Sequence, residues 1–208
     1  MRSKSEISVI LAEPNEIEIN RNELAGRLKT ERGFQSEALE MCRKRLMENI
    51  RYKCAYVRTP VNLSEEGVCD LGFMKIPSKN LYKNLTGCGE AFVMAMTSGI
   101  AVDRLLARLN IVSQAEHFMT DALSSAAIES FCDYACKVMS SGYDCAPRFS
   151  PGFGDLSITF QKPLLEGLCA FEILGITLNN AFLMTPVKSI TAIMGIRGKK
   201  NDSNEKDN

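Results

Sequence analysis

RFSPGFGD, Arg148–Asp155, and GITLNNAFLMTPVKSITAIMGI, Gly175–Ile196, are the two stretches on which the fold turns. The second is almost uncharged, with Lys188 as its one charged residue. Within it Ile190, Ala192, Met194 and Ile196 alternate with Thr191, Ile193 and Gly195, which predicts a largely buried strand after a break at Pro186. The first is a compact loop holding one cation, a proline and two glycines. Arg148 carries a planar fork of donors that matches a carboxylate. Gly152 and Gly154 allow close backbone approach, and Ser150, Phe153 and Asp155 add a hydroxyl, an aromatic face and an acceptor. Such a loop could hold a small zwitterion, and equally it could be an ordinary tight turn with a surface arginine.

Upstream, the elements alternate without a regular β-α-β rhythm. Ile7–Leu11 predicts a short strand, Asn22–Leu28 a short helix and Thr30–Gly33 a turn. Ser36 caps a helix whose apolar stripe is Leu39, Cys42, Leu46 and Ile50, with a solvated basic face at Arg43, Lys44 and Arg45. A strand through Cys54 and Tyr56 ends at Pro60, and a second is expected over Cys69, Leu71 and Phe73. Ser78 opens a helix to Leu85, Ala91–Met96 is an apolar run of strand length, and Ile100–Leu109 is helical. Ser113 and Glu116 have capping-box spacing at the start of the longest helix, to about Met139, with Ile128, Phe131, Ala135 and Val138 on its buried face. Leu156–Phe160 predicts a strand. A helix with the stripe Leu164, Leu168, Phe171 follows and ends at Gly175. The class is α+β with antiparallel pairing.

The chain has 208 residues, 45% of them hydrophobic, and no tryptophan. It is expected to form one domain over residues 1–197, with the polar stretch 198–208 as a disordered tail. Twenty-five basic residues balance 25 acidic ones, so no net charge draws it toward nucleic acid. No 18-residue apolar stretch predicts a membrane span, and Ile7–Ala12 is too short for a secretory core, so a cytoplasmic location is expected. Eight scattered cysteines include no Cys-x-x-Cys, and His117 is the only histidine. Reduced thiols packed as small hydrophobes are expected, with no metal centre. Cys132 and Cys136 fall on one helical face, but two thiols alone make a poor metal site. No catalytic triad or acid–base set is visible.

At Arg148-Phe149-Ser150-Pro151-Gly152-Phe153 the sequence resembles the activation domain of cobalamin-dependent methionine synthase, a family with an Arg-x-x-x-Gly-Tyr motif. ITLNNAFLMTPVKSITAI (Ile176–Ile193), GCGEAFVMAMTSGIAVDRLLARL (Gly87–Leu109) and the SSAAIESFCDYAC helix are similar to short, free-standing members, over roughly Ile17–Gly195. Phe153 stands in place of the tyrosine, and the Asp-Trp-Thr-Pro segment of the full-length enzyme has no counterpart here.

The resemblance implies a twisted antiparallel sheet with helices packed around it. It further implies S-adenosylmethionine held by Arg148, Ser150, Gly152, Phe153 and Asp155, with the acidic Glu129 facing that cofactor. The implied role is reductive reactivation of cobalamin carried by separate methyltransferase modules, with flavodoxin or ferredoxin as electron donor. The chain would then be a component of a methyltransferase system rather than a complete enzyme. The alternative is a docking module of such a system that no longer binds the ligand.

Overall fold

Ala91–Met96 has no polar side to turn outward, and the fold gives it none. These residues lie within β6 (Glu90–Thr97), the middle strand of a five-stranded sheet, and are buried on both faces. The structure, a computed structural model, describes residues 6–31 and 35–200. In chain order the sheet strands are β1 (Ser8–Ala12), β2 (Tyr52–Pro60), β6 (Glu90–Thr97), β7 (Tyr143–Cys145) and β10 (Ser189–Lys199). They lie side by side as β1-β2-β6-β10-β7, and every pairing is antiparallel. A small sheet is made by β3 (Asn62–Leu63), β4 (Val68–Asp70) and β5 (Lys75–Pro77). A two-stranded ribbon is made by β8 (Thr177–Leu178) and β9 (Met184–Thr185).

Period-two alternation splits the interior into two cores. Tyr52, Cys54, Phe92, Met94, Met96, Ala192 and Met194 face one side. There they meet α1 (Arg21–Leu28), α2 (Glu37–Asn49), α4 (Ile100–Val112) and α5 (Gln114–Met139). Ala55, Val57, Ala91, Val93, Ala95 and Ile193 face the other. That side is covered by α3 (Lys79–Leu85), α6 (Gln161–Gly167), α7 (Ala170–Leu174) and the small sheet. Tyr52 stacks on Phe131 of α5 with ring centroids 4.8 Å apart, both fully buried.

Local chemistry sets the helix starts. The Asn20 carboxamide oxygen accepts from the N–H groups of Asn22 and Glu23. The hydroxyls of Ser36, Ser78 and Ser113 accept from Leu39, Leu81 and Glu116 in the same way. Only half of the expected box forms at Ser113, because the Glu116 carboxylate pairs with Arg45 of α2. Arg45 therefore ties α2 to α5, where a solvated basic face was expected.

Other expectations are corrected by packing. β4 ends at Asp70 because Gly72 turns the chain with φ 80°, so Leu71–Phe73 is not strand. Leu156–Phe160 is not a strand; it is a turn leading into a 3-10 helix at Ile158–Phe160. The single helix expected before Gly175 is two, broken at Cys169, whose backbone is left-handed at φ 47°. Phe171 and Val138 are exposed, and Met139 takes the buried place at the end of α5. β10 continues through Lys199, with Gly198 and Lys199 paired to Asp144 and Tyr143. The expected turn at Thr30–Gly33 and the expected tail over 198–208 fall in part on residues outside those described.

Candidate functional site

The Arg148–Asp155 loop is clamped to β10, beside the edge of the sheet, before it leaves it. Phe149 and Ile193 exchange both backbone hydrogen bonds at 2.8 Å, and the Ala146 N–H donates to the Gly195 carbonyl at 2.8 Å. The loop then closes on itself, with the Gly152 N–H donating to the Leu156 carbonyl at 2.8 Å. Gly152 sits at φ 95° and Gly154 at φ 56°, values that favour glycine. A Cβ on Gly154 would lie 2.2 Å from the Asn80 side-chain nitrogen, so α3 fills the space that close ligand approach would need.

Asp155 faces α3. Its carboxylate accepts from the Ser78 hydroxyl at 2.5 Å and from the N–H groups of Lys79 and Asn80 at 2.8 and 3.1 Å. The Ser78 hydroxyl, then those amides, hold its carboxyl below the usual carboxylate range. Asp155 thus anchors the N-terminus of α3, its carboxylate oxygens accepting from helix donors that lack an intrahelical partner.

Arg148 turns toward α5. Its Nη2 donates to Glu129 Oε2 at 2.9 Å and its Nη1 to Asp133. Glu129, Cys132, Asp133 and Cys136 occur at i, i+3, i+4 and i+7, so they form one stripe of the helix beneath the guanidinium. Burial works against the arginine's charge, and the ion pair with Asp133 offsets it. Glu129 and Arg148 were expected to meet a ligand, and they also meet each other.

Between this loop, α5 and the start of β10 lies a cleft of about 350 Å³. Glu129, Arg148, Ser150 and Phe153 line it, and the Phe153 ring is 68% exposed. Gly152 and Asp155 do not line it. Gln161, Met184, Ser189 and Thr191 complete the wall, and sequence reasoning did not reach Gln161, Ser189 or Thr191 as site residues. Met184 packs partly on the second core and partly on the cleft. Gln161 is only 7% exposed, yet its Oε1 has no hydrogen-bond partner. A buried orphan acceptor is costly unless something pairs with it. Asp133 could have been found, since it lies four residues after Glu129 on the same helix face. Nothing local marks Gln161.

The cleft offers a cation beside a carboxylate, an aromatic face and an unsatisfied amide. That set suits a zwitterion with a flat apolar part, held by positioning. Among the described residues no group of three or more His, Cys, Asp or Glu is placed to hold a metal ion. Among them no helix is long and apolar enough to cross a membrane.

No family model matches the chain, and no curated protein matches it. Among solved structures it is similar to the crystal structure of the MetH reactivation domain bound to AdoHcy. The TM-score is 0.67 over 94% of this chain and 79% of that one, at 14% sequence identity. The chain therefore has the fold of that domain: mixed helix and strand around a curled antiparallel sheet.

Proposed function

We propose that this chain binds S-adenosylmethionine and serves as a reactivation subunit in the reductive methylation of cobalamin held by a corrinoid-dependent methyltransferase, methionine synthase being the leading case. The observation that carries this reading is the cleft itself: Arg148 and Glu129 stand side by side at the edge of a sheet whose fold matches a reactivation domain crystallised with AdoHcy. A volume of about 350 Å³ suits a ligand of this size class.

In this reading Arg148 receives the ligand carboxylate on guanidinium donors not used by Glu129 and Asp133, and Glu129 receives the ammonium. Phe153 offers its face to the adenine, and Gln161 gains the partner it lacks. Bound S-adenosylmethionine supplies the sulfonium methyl group; flavodoxin or ferredoxin supplies the electron. The chain's own work is to orient one bound cofactor toward another carried by a cobalamin-binding partner, which needs no side-chain acid or base.

Isothermal titration tests it. S-adenosylmethionine should bind, and Arg148→Ala should weaken binding at least tenfold; no binding at millimolar ligand overturns the reading. One observation favours a second reading, a docking module without ligand. The Arg148 charge is already met by two carboxylates, and Phe153 lacks a hydroxyl. Capture of a cobalamin protein by a chain with no ligand affinity would select it.

A further inference from the structure

The polar groups that wall the cleft are not equally free. Arg148 and Glu129 hold each other. Ser189 is spent as well: its hydroxyl donates to the Pro186 carbonyl at 2.6 Å and lies 3.0 Å from Thr97 Oγ1. Gln161 is different. Among the described residues several buried side-chain oxygens lack a hydrogen-bond partner, and of these only Gln161 Oε1 belongs to a residue of this cleft.

Gln161 and Phe153 come from one continuous segment. The loop closes where the Gly152 N–H meets the Leu156 carbonyl, the 3-10 turn Ile158–Phe160 follows, and Gln161 is then the first residue of α6. Its backbone N–H donates back to the Ile158 and Thr159 carbonyls, which fixes where the side chain starts. The last torsion of a glutamine is broad and roughly two-fold, so either head of the amide can turn to the cleft. Phe153 is largely exposed and Gln161 is 93% buried, since its exposure is 7%.

These two residues suit different parts of a purine. An aromatic face stacks on any base and gives affinity without choice. A carboxamide chooses: it accepts from the N6 amine of adenine and donates to N7 in two parallel hydrogen bonds. A 6-oxopurine carries acceptors at both O6 and N7, so one head of the amide meets a lone pair whichever way it turns. We propose that Gln161 is the base-reading residue of the cleft and selects a 6-aminopurine over a 6-oxopurine. That choice rests on the S-adenosylmethionine binding proposed above, and it names the atoms of the ligand that the buried wall recognises. Phe153 holds the base, and Gln161 identifies it. Because Oε1 is shut off from water, a base without the amine leaves it unpaired.

Isothermal titration of the full chain tests this with three probes. They are S-adenosylhomocysteine, S-inosylhomocysteine, and the homocysteine analogue bearing hydrogen in place of the amine at purine C6. The parent should bind the adenosyl form at least about fivefold more tightly than either of the others. Gln161→Met, nearly equal in volume, should lose that preference by weakening the adenosyl form alone. Equal affinities of the parent for all three probes, a measurement that needs no variant, would overturn the role of Gln161 and leave ligand binding standing. So would a preference that survives Gln161→Met. No affinity for any of the three would overturn the binding itself, and base selection with it.

Discussion

At Gly195, α3 and the turn after it press directly on the sheet. A Cβ there would lie 2.5 Å from Cys88 Sγ, 2.9 Å from Leu85 Cδ2 and 3.2 Å from Cys88 Cβ. Comfortable contacts run at about 3.5–4.0 Å, so two overlaps of roughly 0.6–1 Å must be relieved. Leu85 is fully buried and Cys88 is 8% exposed, so neither can swing into water. Overpacking of this kind costs about 1–3 kcal/mol, against about 0.5–1 kcal/mol gained by replacing glycine in a strand. Gly195→Ala should therefore lose about 1–2 kcal/mol by urea unfolding. At roughly 2–4 °C per kcal/mol for a chain of this size, its melting point should fall by about 2–8 °C. Because Gly195 also accepts the Ala146 N–H, the segment delivering Arg148 should shift with it. Adding Cys88→Ala removes the worst overlap. The double variant should then be less destabilised than the sum of the singles by at least about 0.5 kcal/mol. A single variant as stable as the parent, or strict additivity, would refute this account of the packing.

Three further outcomes follow from other contacts. Phe131→Ala empties a fully buried site stacked on Tyr52 and should cost about 3–5 kcal/mol in the same urea assay. Asp155→Asn should lower the melting point at neutral pH. Because the folded-state pKa of Asp155 is depressed, its contribution is present above the unfolded pKa of about 3.9 and fades as pH falls through the lower folded value. The gap between parent and variant should thus close on acidification below about pH 4, and a gap constant down to pH 2.5 would contradict the anchoring role. Gln161→Met removes an orphan acceptor at nearly constant volume, so stability should hold or rise while titrated affinity for S-adenosylmethionine falls. Unchanged affinity would remove Gln161 from the site.

What could be read from the sequence is what is decided within a few residues. Ser36, Ser78 and Ser113 announce their helices because each hydroxyl finds an amide three residues ahead. β6 was legible because both its faces are covered, leaving an unbroken apolar run. The α6–α7 break was not, because Leu164, Leu168 and Phe171 keep helical spacing across Cys169 while the chain turns there. At the cleft, Arg148 and its glycine turn were found from the loop alone. Their partners were not: Asp155 is fixed by amides 75 and 76 residues earlier and Arg148 by carboxylates 15 and 19 residues earlier. Distances of that kind leave no local trace. Gln161, Ser189 and Thr191 enter the cleft only through the crossing of α6 with β10.

β10 lies between β6 and β7, yet it is the last of the described strands to be synthesised. β1, β2 and β6 can pair as soon as Thr97 is made, but one edge of β6 then waits for Ser189–Ile196. At about 5–20 residues per second that wait lasts roughly 5–20 s. During it β6, an almost wholly apolar strand, shows an open row of backbone donors and acceptors, the kind of edge on which chains stick to one another. Truncation upstream of Ser189 would make that exposure permanent, so the nascent chain has its greatest need of a chaperone in this interval.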